Sequence, residues 1–394
     1  MEAKRLVTMT RDDTARWYRV GMDSGYEGTY PYVWLRDNCR CSECLHASSF
    51  QRLFLMADLD PEVVPLSEEL VDEGGVLRIT WPDQHRSDFD AAWLNRQRFS
   101  GSDDGSTVNS PELEMWGAEL NGNIPTFDFQ KVLQDDRELY NWLSVLNTKG
   151  LALVKGAPTE RGAVGQLAGR VAYLKPTANG VQFQVFSKRN TCNLAYSTLG
   201  LPLHGDMPYR YYTPGIQMLH CIKKTSDVEG GENHFVDGFH VAEQVRKERP
   251  EAFQLLSTRD IDYRAAGTDY VLGFHLQTCL PVIQCDKNGR VKQINYNNPV
   301  RAPHMSLPVA QITETYRALK LFHNMMYRPE NLVYHQLAPG EIVTFSNIRT
   351  LHARSAYTIT GDGGRHLEGG YLDWDETLSR LRVLRASLFG DVLL

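Results

Sequence analysis

The sequence predicts a mainly β protein with surrounding helices: a β-sandwich or barrel, not a doubly wound sheet. Two observations carry that reading. Many short strand candidates with few helical stretches between them fill the chain beyond residue 150, which is the texture of packed sheets. No glycine-rich phosphate loop and no internal repeat is found. At 394 residues the chain is long for a single core, so one large and one small domain are expected. The boundaries are set at 1–100 for a small β-rich unit, 101–124 for a linker and 125–394 for the large domain.

In chain order, Tyr32, Val33, Trp34 and Leu35 make a first strand candidate, and 75–81 alternates as a second. The polar run 100–106 reads as the start of the linker. Residues 138–146 have helical spacing, 150–156 is a short buried strand between glycines, and 163–174 is another helix. Strand candidates follow at 215–222, 233–236, 281–285, 291–296, 341–346 and 367–372. Between them, 241–248 and 309–327 are helical.

Charge excludes one class of partner. The formal charge is −6, from 42 basic against 48 acidic residues, with no Lys/Arg run. No nucleic acid partner is expected. No stretch approaches the length of a membrane span, and the first residues lack a signal-like apolar run. A cytoplasmic enzyme without membrane contact is expected. Seven cysteines, three of them bunched, suggest metal ligation in a reducing compartment.

The chemistry centres on His204 and Asp206, read together with the distant His352. A His-x-Asp pair at the end of an apolar strand places two ligands on one face. With one further histidine it has the spacing of a two-histidine, one-carboxylate triad, which leaves positions open on iron(II) for O2 and a chelating co-substrate. His352 is expected to close the strand-like run 341–347. Arg365 stands where a guanidinium could grip the distal carboxylate of 2-oxoglutarate through two hydrogen bonds.

A second cluster is structural in character. Cys39, Cys41 and Cys44 pack three thiols into six residues, and His85 follows the second strand candidate. Three thiolates and one imidazole make a closed tetrahedral zinc site with no catalytic opening. Such a clamp suits a small domain with little core. His46 competes with His85 for the fourth position by proximity.

At this point the residues resemble a known family. Trp34-Leu35-Arg36-Asp37-Asn38-Cys39, the Trp81-Pro82-Asp83-x-His85 run, His204-x-Asp206, Gly230-Gly231 with Phe235-Val236-Asp237-Gly238, and Arg365-His366-Leu367-Glu368-Gly369 together resemble the γ-butyrobetaine dioxygenase family. The resemblance spans nearly the whole chain. It implies iron(II)- and 2-oxoglutarate-dependent hydroxylation with O2, helped by ascorbate as reductant. It also implies a double-stranded β-helix (jelly-roll) catalytic domain, a small zinc-binding N-terminal domain and a homodimer. His204, Asp206 and His352 would hold iron; Cys39, Cys41, Cys44 and His85 would hold zinc. Arg365, with Asn233 beside it, would take 2-oxoglutarate.

The family's substrates carry a trimethylammonium group, which cannot donate a hydrogen bond and is recognised by ring faces. The matching positions are Phe183, Tyr196, Tyr371 and Asn179, while Asn193 and Asn297 match positions that touch the substrate's carboxylate. Asn179 departs from the pattern, since a ring is expected there. The resemblance therefore implies γ-butyrobetaine as substrate and L-carnitine as product. 2-(Trimethylammonio)ethylphosphonate and N6-trimethyllysine are the alternatives, with Arg210 and Arg301 candidates for a phosphonate. An intact Asp206 argues against halogenation, because halogenases of this superfamily lack that carboxylate.

Overall fold

Alternating burial shapes the first of two units, Met1–Gly105 and Ser106–Leu393. The computed structural model describes residues 5–99, 111–186, 197–267 and 273–390. In the strand Arg86–Asp90 only Ser87 and Phe89 are buried, the period of a sheet covered on one face. It pairs antiparallel with Val76–Thr80, which pairs with Ser67–Val71. Leu6–Asp12, Trp17–Met22 and Glu27–Pro31 form a second antiparallel sheet. Tyr18, Tyr30, Leu77, Ile79, Trp81 and Phe89 share one core.

The expected strand at Tyr32–Leu35 is instead the start of a helix, Tyr32–Asp37. Four consecutive apolar residues carry no period, so the run alone cannot separate strand from helix. Burial of Tyr32, Leu35 and Arg36 has the i, i+3, i+4 spacing of a helix face, and Pro31 precedes the first turn. The cysteines thus follow a helix, not a strand.

The second unit is built on two sheets. The larger has the order Thr126–Asp128, Leu151–Lys155, Ile342–Ser346, Ile216–Lys224, Arg365–Leu372, Phe183–Val185. The smaller has the order Leu201–His204, Thr350–Arg354, Asn233–Asp237, Val333–His335. Side chains alternate across the larger sheet. Ile216, Met218 and Ile342 face a core shared with Leu139, Trp142 and Leu143 of the helix Asp136–Thr148. Leu219, Val343, Leu367 and Tyr371 face the other way. The smaller sheet is backed by helices Gly238–Glu248, Pro250–Thr258 and Val309–Met326 through Val241, Val245, Leu256 and Phe322.

Several elements differ from expectation. Residues 281–285 split between two strands, Phe274–Pro281 and Ile283–Cys285. The first pairs with Asp260–Gly267, a strand whose polar residues hide it in the sequence. The helix Trp374–Phe389 was also not anticipated. Of the expected linker, the described part 111–124 buries Trp116, Leu120 and Ile124 in the second unit's core. No helix among the described residues is long and apolar enough to cross a membrane.

Candidate active site

His204 is the last residue of its strand and lies directly opposite His352 on Thr350–Arg354. Their ring centroids are 4.2 Å apart. His352 therefore sits in the middle of its own strand rather than closing 341–347, because a turn at Asn347–Arg349 separates the two. Asp206 has already left the strand. Asn347 fixes it there: the Asp206 amide donates to Asn347 Oδ1 at 2.7 Å, and Asn347 Nδ2 donates to the Asp206 and Pro214 carbonyls at 2.9 and 3.0 Å. The next residue, Met207, is held at φ +57°, a left-handed conformation that a non-glycine residue rarely adopts.

The three side chains converge. One donor atom from each of His204, Asp206 and His352 lies within 4.8 Å of the others. His204 Nδ1 is 2.8 Å from the Pro202 carbonyl. A carbonyl only accepts, so the proton belongs on Nδ1 and the lone pair of Nε2 faces Asp206 Oδ1 at 3.3 Å. Two electron-rich atoms at that separation are what a shared cation would hold together. Burial, then the neighbouring His204, pushes His352 down to about 3, so its imidazole is neutral and available as a ligand. Burial opposes ionisation of Asp206, yet its polar neighbours, among them the Tyr371 hydroxyl that donates to Oδ2 at 2.6 Å, hold its carboxyl well below the usual range.

Arg365 lies in the same cavity, whose volume is about 260 Å³. It is 6% exposed, and its guanidinium lies 5.8 Å from the Tyr357 ring centroid and makes no hydrogen bond or ion pair among the described residues. Burial first, then Arg354, lowers it to about 10, so it remains a cation at neutral pH. An unpaired buried cation is costly, and a cavity that keeps one is shaped for an anion. Asn233 lines the cavity too, its Nδ2 donating to the His335 carbonyl at 3.2 Å.

Of the expected substrate positions, Asn179, Phe183, Asn297 and Tyr371 line this cavity. The Phe183 and Tyr371 rings are 5.3 Å apart. Asn297 Nδ2 donates to the Gly205 carbonyl at 3.1 Å while its Oδ1 has no partner among the described residues. Asn193 and Tyr196 lie outside the described residues. Arg210 and Arg301 do not line the cavity; Arg301 stacks on Tyr316.

In the first unit, His85 Nε2 is 3.2 Å from Cys39 Sγ and 3.5 Å from both Cys41 and Cys44 Sγ. His46 is turned away, its Nδ1 2.9 Å from Ser49 Oγ. Arg36 NH1 donates to Cys44 Sγ at 3.6 Å and NH2 reaches Asp83 at 3.2 Å, placing a positive charge beside the thiols.

Residues 107–371 match the family described as "Taurine catabolism dioxygenase TauD, TfdA family", and residues 10–95 match "Gamma-butyrobetaine hydroxylase-like, N-terminal". The gamma-butyrobetaine dioxygenase of Homo sapiens is 40% identical over 91% of this chain and 92% of its own. The chain belongs to the TauD, TfdA dioxygenase family. The gamma-butyrobetaine dioxygenase of Pseudomonas sp. (strain AK-1) is 35% identical over 90% of each chain. The mitochondrial trimethyllysine dioxygenase of Bos taurus is 32% identical over 90% of this chain and 82% of its own.

As a TauD-family member this protein is an iron(II)- and 2-oxoglutarate-dependent dioxygenase with a mainly β fold. The donor set and the lone guanidinium suit those reactants. Sequence reasoning missed three groups around this TauD-family site. Asn347 clamps the Asp206 backbone, as above. Gln217 is 2% exposed, lines the cavity between Phe345 and Tyr371 on its flanking strands, and its Oε1 has no partner among the described residues. Arg354 donates to the Ser197 and Leu199 carbonyls at 2.8 and 2.6 Å while lining the cavity. A lone glutamine in the apolar run Ile216–Ile222 was the available signal for Gln217; nothing local marked the other two.

Proposed function

We propose that this enzyme hydroxylates γ-butyrobetaine to L-carnitine. The observation that carries the reading is the Phe183–Tyr371 ring wall in the cavity that also holds His204, Asp206, His352 and Arg365. Ring faces are natural partners for a quaternary ammonium, and the named relatives act on trimethylammonium compounds. In this reading His204 (through Nε2), Asp206 and His352 hold iron(II), Arg365 pairs with the distal carboxylate of 2-oxoglutarate, and Asn233 flanks it. When bound, the metal supplies oxidative decarboxylation of 2-oxoglutarate with O2 to succinate and CO2, the second oxygen atom entering a substrate C–H bond.

The chain's own work is positioning. The rings hold the cationic end and Asn297 Oδ1, without a partner among the described residues, is available to order the anionic end through water. Asn193 and Tyr196 complete this set on the family pattern. The cavity fixes which carbon faces the metal. Asn179 on the cavity wall, where a ring is expected, favours another trimethylammonium compound as the second reading. A panel of γ-butyrobetaine, 2-(trimethylammonio)ethylphosphonate and N6-trimethyllysine, scored by succinate release with iron(II), ascorbate and 2-oxoglutarate, decides between them. γ-Butyrobetaine is expected to give the highest kcat/KM; no stimulation by any member would refute the reading.

Gly369 gives a sharper test of the wall. It lies opposite Phe183 on the neighbouring strand, and a Cβ there would run into the Phe183 ring. Gly369→Ala should displace that ring and raise the KM for γ-butyrobetaine about tenfold, a loss of roughly 1.4 kcal/mol. The KM for 2-oxoglutarate should change less than twofold. Steady-state kinetics with each substrate varied in turn separates the two effects.

For the first unit the proposal is a structural zinc ion on Cys39, Cys41, Cys44 and His85. Tetrahedral zinc with bonds of about 2.3 Å to sulfur and 2.0 Å to nitrogen sets S···N separations of about 3.5 Å, close to the separations here. Elemental analysis should find one zinc per chain in the wild type. Cys41→Ser should lower both zinc content and the melting temperature, since metal binding contributes folding energy. The homodimer and the double-stranded β-helix implied by the resemblance belong to the same reading.

A further inference from the structure

We infer that Tyr371 is a positioning residue for the metal carboxylate, and that it links occupancy of the aromatic wall to the geometry of Asp206. This rests on the iron-site reading above and goes beyond a wall residue's role. The two oxygens of Asp206 have different neighbours. Oδ1 lies 3.3 Å from His204 Nε2, on the side of the converging histidines. Oδ2 accepts the Tyr371 hydroxyl at 2.6 Å. A hydrogen bond from a hydroxyl to a carboxylate is short and roughly twice as strong as a neutral one. It fixes the plane of the carboxylate and occupies Oδ2, leaving Oδ1 as the ligand atom. The Asp206 backbone is locked separately by Asn347, so the side-chain torsions are what Tyr371 controls.

The bond also spans the fold. Tyr371 stands on the larger sheet and Asp206 follows an edge strand of the smaller one. The same ring packs against Phe183, 5.3 Å away, in the cavity wall. A cation resting on that ring draws electron density from it and makes the hydroxyl a better donor. Substrate binding then tightens the grip on Asp206, and by reciprocity a bound metal favours the substrate. The sequence could not show this, since Tyr371 and Asp206 are 165 residues apart.

Tyr371→Phe tests it, because the ring stays and only the hydroxyl goes. Mn(II) serves as the probe, its unbound fraction read by electron paramagnetic resonance with 2-oxoglutarate present, with and without γ-butyrobetaine. Wild type should bind Mn(II) more tightly when γ-butyrobetaine is added. Tyr371→Phe should bind Mn(II) about tenfold more weakly, the lower end of outer-shell losses, and lose the response to γ-butyrobetaine. Its KM for γ-butyrobetaine should stay within about threefold while kcat falls and succinate release outruns product formation. Phe183→Leu should do the reverse, weakening γ-butyrobetaine and leaving Mn(II) affinity without substrate intact. A Tyr371→Phe protein with wild-type Mn(II) affinity and response would overturn the inference alone. Wild-type Mn(II) binding that survives His204→Ala would overturn the iron-site reading and the inference with it.

Discussion

Replacing His204 or Asp206 by alanine is expected to reduce succinate release to background while the protein stays folded. Loss of an outer-shell partner of a metal ligand costs roughly 10–100-fold, and loss of a ligand itself should exceed that range. The fold should tolerate both changes. His204 ends its strand and Asp206 lies beyond it, so neither substitution breaks a ladder. The pocket also gathers a partly buried carboxylate and two buried imidazoles that only partly compensate one another. Removing one member relieves desolvation as well as losing a contact, so melting temperatures near wild type are expected without metal. Circular dichroism and a succinate assay on the same preparations check both halves. Near-normal succinate from either variant would mean the iron is bound elsewhere.

The parts of this site that were legible in the sequence are those that local chemistry marks. Histidine and aspartate two apart after an apolar run, or three cysteines within six residues, are unusual enough to be read without a fold. Even there the local picture was incomplete. The strand ends at His204, and Asp206 reaches its place through a turn held by Asn347. No i, i+2 argument contains that turn. The apolar run 341–347 draws His352 to the end of the preceding strand; the turn after it gives His352 a strand of its own. Tyr32–Leu35 misled for the opposite reason, a short apolar run without period. Gln217, Arg354 and the Tyr371–Asp206 bond depend on strand neighbours far apart in sequence. Only register brings them together, and register is a tertiary property.

Away from the chemistry, the largest stability loss is expected from Asp237→Ala, about 3–5 kcal/mol, the range for breaking a buried pair by removing one partner. Asp237 and Arg349 have side chains 0% and 3% exposed. Arg349 Nε and NH2 donate to the two carboxylate oxygens at 3.0 and 2.7 Å, and its remaining bonds go to the Thr148 and Glu114 carbonyls. Asp237 also accepts the Phe239 and His240 amides, capping the helix Gly238–Glu248, and the Trp116 amide. Alanine would therefore leave a buried guanidinium without its anion, uncap a helix and strand an amide at once. Asp237→Asn keeps the shape and one acceptor oxygen, enough for the helix cap, so it should cost less than alanine. Arg349→Met with Asp237→Ala should cost less than the sum of the single changes, because the uncompensated charge is gone. Urea unfolding of these variants, with Arg349→Met alone as the fourth, measures these differences, and Asp237→Ala should lower Tm on the order of 10 °C. The effect should also reach the active site. Asp237 is paired in register with Thr350, and Phe235 with His352, so the clamp holds the strand that presents His352, the second histidine of the proposed iron site. A variant that unfolds like wild type would show that the pair is replaceable, and that His352 is placed by strand pairing alone.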